Sequence, residues 1–209
     1  MIRTIIVDPH AVVRTGLQLI FEATQELEIV DEASNGDELL EKIQQRAIDV
    51  VILEPLIPGK EALDVLKALK KLRPGLPVII FTMHPEERLS LRMFKNGAYA
   101  YINKESNLEE LIKAVKLAVE SKKYYTPTQT ELIADSLYEK HQELHEKLTD
   151  REFQVMTLLA RGLNKSEIAA KLSVSKNTIN NHRNHILKKM DLPNNSRLTK
   201  YAVQKGIID

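Results

Sequence analysis

The sequence predicts a doubly wound α/β domain followed by a small all-α domain, and three observations carry that expectation. Short apolar runs alternate with longer amphipathic stretches from residue 1 to residue 122. Most of those runs are apolar on both faces, as strands are when a parallel sheet is covered by helices on both sides. From Leu148 onward the strand-like runs cease, and cap residues followed by helical spacing take their place.

The elements follow in order. Strands are expected at Thr4–Val7, Glu28–Glu32, Val50–Leu53, Val78–Thr82 and Tyr99–Ile102. Helices are expected near Ala11–Thr24, Gly36–Gln45, Lys60–Leu72, Glu86–Asn96 and Leu108–Ser121. In the last of these, Leu108, Leu111, Ile112, Val115 and Val119 recur at helical spacing. Tyr124–Tyr125–Thr126–Pro127 then interrupts the pattern. Thr128 to Glu146 is polar and mostly helical, so residues 123–146 read as a linker. Its charges, like those from Asp37 to Arg46, are expected on solvated faces.

Residues 147–209 are expected to hold four helices. Thr149–Asp150–Arg151–Glu152 is a capping box, and Asn164–Lys165–Ser166–Glu167 is a variant with Asn as cap. Phe153, Met156, Leu158 and Leu159 supply a core edge, with Gly162 as a left-handed stop. Ile168, Ala169 and Leu172 mark the next helix, and Ser173–Val174–Ser175 is the length of a tight turn. Ile179, Ile186, Leu187 and Met190, with the stem of Arg183, line the buried edge of the third helix; Asn194 to Lys205 is the fourth. About sixty residues so arranged make a small but sufficient core around a helix-turn-helix.

Composition narrows the function classes. At 209 residues the chain suits two ordinary domains, and 43% hydrophobic with 28% charged residues is too apolar for disorder. There is no cysteine, which removes any disulfide or thiolate-metal framework and fits a reducing compartment. No apolar run approaches the roughly 20 residues that cross a bilayer. Met1 to Asp8 meets an acid too soon for a signal peptide, so a cytoplasmic protein with no membrane partner is expected. The net charge of +1 hides an asymmetry: Lys147 to Asp209 holds 12 Lys+Arg against 5 Asp+Glu, leaving 18 against 24 in the rest. Only the back part is suited to face a polyanion.

The third helix of that part has one apolar edge and one edge rich in amides and cations. Amides read base edges and cations hold phosphates, a combination that fits a DNA recognition helix. Asn180, Asn181 and Asn184 are the candidate base readers, since asparagine can pair in two-point fashion with adenine. Lys165, Lys176, Arg183, Lys188 and Lys189 are the candidate phosphate contacts.

These residues carry a resemblance. Leu148–Thr149–Asp150–Arg151–Glu152, Gly162, Glu167–Ile168–Ala169, Ser175, Thr178–Ile179, His182, Ile186 and Lys189–Met190 resemble the helix-turn-helix of the LuxR/NarL/FixJ group of transcription regulators. Asp8, Pro58–Gly59, Thr82, Gly97–Ala98, Tyr101 and Lys104 resemble, in that order, the receiver domain of two-component response regulators. The resemblance implies a flavodoxin-like receiver over 1–122 with strand order 2-1-3-4-5, and a homodimer on repeated half-sites of double-stranded DNA. It implies a histidine kinase as donor and RNA polymerase as the machinery addressed. It also implies a receiver able to cover the recognition helix until phosphorylation frees it. Position 180 departs from the lysine common in the family, which implies a shifted operator. His182 matches a family position, and a packed, hydrogen-bonded role is expected for it.

The receiver's chemical centre departs from the family. In a working receiver, two adjacent carboxylates after the first strand hold Mg²⁺, and an aspartate ending the third strand takes the phosphoryl group. Here the first loop reads Asp8–Pro9, so Pro9 stands where an acid belongs, and Glu54 stands at the acceptor position. Asp8 alone remains as a metal ligand. Thr82 and Lys104 stand where the phosphate-sensing hydroxyl and ammonium belong, and Tyr101 where the switch aromatic belongs. Mg²⁺ wants near-octahedral oxygen ligands and neutralises the transferring group, so losing a carboxylate weakens the chemistry. Glu54 places a fixed charge of −1 near where an aspartyl phosphate would place about −1.5 to −2. An ion pair with Lys104 and a bond to Thr82 are therefore expected, a partial mimic of activation. The alternative is a conventional regulator phosphorylated on Glu54 or another acceptor.

Two rival classes have less support. An enzyme of phosphotransfer is disfavoured by the degraded acid pair, and a module for acidic protein partners is separable by selectivity among duplexes. His141 and His145, four apart, lack a third ligand and are expected to be solvated. The glycines never cluster into a phosphate loop, and no Ser/His/Asp arrangement is readable.

Overall fold

In the computed structural model, β1 (Ile2–Val7), β2 (Leu27–Ala33), β3 (Val50–Leu53), β4 (Val78–Thr82) and β5 (Ala100–Asn103) form one parallel sheet in the order β2-β1-β3-β4-β5. The structure describes residues 1–60, 62–138 and 143–208, with 86–88 and 137–138 described by backbone alone. The class and the strand order are those expected. β3 is buried on both faces along its whole length, as the unbroken run Val50–Val51–Ile52–Leu53 requires. β2 is only partly buried, and it is an edge strand that carries Glu28, Asp31 and Glu32.

The helices α1 (Ala11–Thr24), α2 (Gly36–Lys42), α3 (Ala62–Leu72) and α4 (Glu86–Lys95) connect successive strands, and α5 (Leu108–Val119) follows β5. On one face, Leu17 and Phe21 of α1 and Leu111 and Val115 of α5 bury themselves with Ile6, Ile52 and Ile79 of the sheet. Each such side chain contributes about 1.5–3 kcal/mol on burial. Val119, expected on the same stripe, is 39% exposed because α5 ends there. The second helix stops at Lys42 rather than Gln45, since Gln44 and Gln45 donate to carbonyls only three residues back. Its first residue has no room for a side chain unless α3 shifts: a Cβ on Gly36 would sit 2.7 Å from Cγ2 of Val65.

By its contacts the chain divides into Met1–Leu132 and Ile133–Asp209. The linker helix α6 (Pro127–Tyr138) opens with a feature legible in Thr126–Pro127–Thr128–Gln129 but not anticipated. Thr126 N–H donates to Gln129 Oε1 and Gln129 N–H to Thr126 Oγ1, both at 3.2 Å, a capping box with proline at the first helical position. Gln129 is fully buried, and its Nε2 donates to the Tyr101 carbonyl at 2.5 Å. The first turn of α6 is thereby tied to β5.

In the second unit a 3₁₀ turn, Leu144–Lys147, precedes α7 (Asp150–Ala160), α8 (Lys165–Lys171), α9 (Lys176–Lys189) and α10 (Asn195–Gln204). Both capping boxes form, on Thr149/Glu152 and Asn164/Glu167. α7 is buried from Glu152 to Ala160 and packs against α8, α9 and α10. Gly162 stops it with φ +86, and Leu163 N–H returns to the Leu158 carbonyl.

His145 corrects an expectation. It is buried rather than solvated, with Nδ1 2.9 Å from the Tyr201 hydroxyl and its ring tilted against Phe153 and Tyr201. Sequence spacing could not reveal this, because α10 supplies the partner from 56 residues away. His141 lies outside the described residues. No helix among the described residues is long and apolar enough to cross a membrane.

Candidate functional site

The strand order gathers four side chains at one end of the sheet. Asp8 follows β1, Glu54 follows β3, Thr82 ends β4 and Lys104 follows β5, so all four lie at carboxyl ends of adjacent strands, the ligand-binding edge of such folds. Their backbones are fixed by bonds just past the strands: Asp8 N–H to the Ala33 carbonyl, Glu54 N–H to Val7, and Lys104 N–H to Thr82. Asp8, Glu54 and Thr82 are buried.

The polar groups of this cluster satisfy one another. Lys104 Nζ lies 2.9 Å from Glu54 Oε2 and 2.5 Å from Asp8 Oδ2. Glu54 Oε1 accepts from Thr82 Oγ1 and from the Leu56 N–H, each at 3.0 Å. Asp8 Oδ1 accepts from the His10 N–H at 2.8 Å and faces His10 Nδ1 at 3.1 Å. Burial acts to lower the Lys104 pKa, but the bonds to Asp8 and Glu54 outweigh it and raise the group above the ordinary lysine value. Tyr101 is fully buried, and its hydroxyl donates to the His84 carbonyl at 3.1 Å.

The second cluster lies on the helix-turn-helix. Ser173 takes a left-handed φ of +51 between α8 and α9, and Ser173 and Val174 N–H groups close the turn on the Ala170 and Ala169 carbonyls. Arg151 Nη2 donates to the Leu172 carbonyl at 2.8 Å, so α7 fixes the end of α8. Ser175 caps α9 by accepting from the Thr178 N–H. Ile179, Ile186 and Met190 bury one narrow edge, while Leu187, expected beside them, is half-buried.

The polar edge of α9 is not uniform. Asn181 and Asn184 are exposed and Asn180 is half-buried. Lys165 Nζ donates to Asn180 Oδ1 at 2.6 Å, bridging α8 and α9. Arg183 is half-buried; its Nε donates to Asn195 Oδ1 at 2.8 Å and its Nη1 to Asn184 Oδ1 at 3.3 Å. Lys189 Nζ lies 2.6 Å from the buried carboxylate of Glu152. Lys176 and Lys188 are exposed, and neither ammonium has an ion-pair or hydrogen-bond partner among the described residues. Asn177, passed over in the sequence, is also exposed and lies one turn before Asn181. His182 is half-buried, and burial lowers its pKa, with Arg151 adding to the effect.

Two family models divide the chain as the two clusters do: a response regulator receiver domain matches residues 4–116, and the luxR family of bacterial regulatory proteins matches residues 146–202. The oxygen regulatory protein NreC of Staphylococcus carnosus is 32% identical over 215 residues, covering 99% of each chain. This chain is a response regulator of the LuxR family.

Other relatives repeat this two-part layout along the full length. The response regulator GacA of Pseudomonas aeruginosa is 27% identical over 211 residues, covering 100% of this response regulator and 99% of GacA. Among solved structures, ChrA, a response regulator of a heme-sensing two-component system, is 29% identical with a TM-score of 0.54, covering 99% and 98% of the two chains. RcsB from Salmonella enterica serovar Typhimurium, bound to promoter rprA in the presence of the phosphomimetic BeF₃⁻, aligns at 22% identity with a TM-score of 0.77, covering 97% and 99%. At that identity RcsB attests the fold.

Proposed function

We propose that this response regulator is a transcription regulator that binds duplex DNA selectively through α9, with Glu54 holding its receiver in the activated arrangement in place of a phosphoryl group. The observation that carries the reading is the engagement of Glu54 by Thr82 Oγ1 at 3.0 Å and Lys104 Nζ at 2.9 Å. Those are the hydroxyl and the ammonium that the family resemblance assigns to phosphoryl sensing. A carboxylate offers one charge where a phosphoryl offers about two, so the mimic is partial but permanent.

The donor chemistry does not fit Mg²⁺. Pro9 offers no side-chain ligand, and the ammonium of Lys104 lies across both remaining carboxylates. Among the described residues no group of three or more acids or histidines is arranged to hold a metal. We therefore derive no phosphoryl transfer through a metal, and read the unit as a regulatory module without enzymatic turnover. Asp8 then serves as a counter-charge that orients Lys104, and a histidine kinase is not needed for activation.

For the DNA-binding face, exposed Lys176 and Lys188 are the phosphate contacts favoured by their lack of protein partners. Lys189 and Arg183 have structural partners in Glu152 and Asn195, which weakens their claim to phosphates. Binding as a homodimer to repeated half-sites, and recruiting or blocking RNA polymerase, complete the reading. The cysteine-free composition suits the cytoplasm. Incubation with acetyl phosphate and Mg²⁺ followed by intact mass measurement tests the central part. The mass is expected to stay unchanged; addition of one phosphoryl group at Glu54 would overturn the reading.

A further inference from the structure

We infer that Lys165 fixes the hydrogen-bonding sense of Asn180, so that this amide presents N–H donors to the duplex and reads guanine rather than adenine. The inference rests on the DNA-binding reading above and names the base that one position of the site selects. Lys165 Nζ lies 2.6 Å from Asn180 Oδ1. An ammonium has three donors and no acceptor, so the amide atom facing it can only be the oxygen. The Nδ2 protons of Asn180 then remain as its outward offer.

Two-point pairing with adenine needs both ends of the amide: Nδ2 must donate to N7 while Oδ1 accepts from the N6 amino group. Here Oδ1 already accepts from a cation, and that cation repels the positively polarised amino protons of adenine. Guanine presents two acceptors on the same edge, O6 and N7, which suit the outward Nδ2 donors. Arg183 repeats the arrangement more loosely on Asn184, with Nη1 3.3 Å from Oδ1. Asn181, exposed and without a partner among the described residues, keeps both ends of its amide free. It is the asparagine able to pair with adenine.

This makes Lys165 a positioning residue rather than a phosphate contact, and the two roles give different results. The full chain is used to select duplexes from a random pool, alongside Asn180→Ala, Lys165→Met and Lys165→Arg. The position whose preference vanishes in Asn180→Ala is the one read by that amide. Guanine is expected there for the unaltered chain and for Lys165→Arg, which keeps a donor. In Lys165→Met the guanine-to-adenine ratio is expected to fall by about 5- to 150-fold, the range set by one bidentate base contact. Adenine already preferred by the unaltered chain would overturn the inference while leaving DNA reading intact. So would an unchanged consensus in Asn180→Ala, or Lys165→Met weakening every duplex alike. No enrichment of any sequence by the unaltered chain would overturn the DNA-binding reading itself, and this inference with it.

Discussion

Replacing Lys104 with methionine removes a cation placed between two buried carboxylates. Asp8 is 2% exposed and Glu54 6% exposed, and Lys104 Nζ lies within 2.9 Å of both. Breaking a buried ion pair by deleting one partner costs about 3–5 kcal/mol, because the charge left behind stays desolvated. Asp8 keeps its bonds from His10, and Glu54 keeps those from Thr82 and Leu56, which places the cost at the lower end, about 3 kcal/mol. For a unit of this size that lowers its melting temperature by roughly 10 °C. Calorimetry of the full chain at pH 7 measures it. The pH dependence is a second check. Lys104 has its pKa raised in the folded state, so its contribution is fully present below the unfolded value of 10.5 and is lost as pH rises through the folded value. The deficit of the variant is therefore full at pH 7 and closes in strong alkali. A loss under about 1 kcal/mol at pH 7 would refute the burial and pairing argued for this cluster.

Three further outcomes follow from the packing. Glu152 has its pKa held below the ordinary carboxylate value: burial opposes this, but Lys189 and the Thr149 N–H and hydroxyl prevail. Its contribution is present above the unfolded value of 4.5 and is lost as pH falls through the folded one, so urea titrations of Glu152→Ala and the unaltered chain should converge in acid. Lys189→Met should cost less than Glu152→Ala, since Lys189 is 40% exposed and the capping bonds survive. Burial pushes the Tyr201 hydroxyl up to about 12, so the ultraviolet titration lost in Tyr201→Phe should lie well above the ordinary tyrosine value of 10.0. Stability of the second unit should fall as pH rises above 10, and Tyr201→Phe should reduce that loss. Gly36→Ala should cost about 1–3 kcal/mol by equilibrium unfolding, because its Cβ would meet Val65 Cγ2 at 2.7 Å.

The sheet was legible because β3 and β4 are unbroken apolar runs that only a doubly covered parallel sheet can use. The helix-turn-helix was legible because Thr149/Glu152 and Asn164/Glu167 announce helix starts through local chemistry. Strand order brought Asp8, Glu54, Thr82 and Lys104 together as the receiver resemblance implied. What escaped the sequence were partnerships between distant segments. Nothing local marks His145 as the partner of Tyr201, Lys189 as the partner of Glu152, or Lys165 as the partner of Asn180. Charge and amide counts on α9 describe its surface but not which groups are already satisfied. The capping box at Thr126/Gln129 was legible in principle, hidden behind the tyrosines and proline that mark the chain's exit from the first domain.

The most direct measurement is the affinity of the full chain for its selected duplex with no phosphodonor present, compared with Glu54→Gln. Tight binding is expected for the unaltered chain and a loss of about 5- to 150-fold for the variant, the span of coupling free energies between linked sites. Acetyl phosphate with Mg²⁺ should leave the first value where it was. Binding that arises only after phosphodonor treatment, or an affinity indifferent to Glu54→Gln, would contradict a receiver held active by its own glutamate.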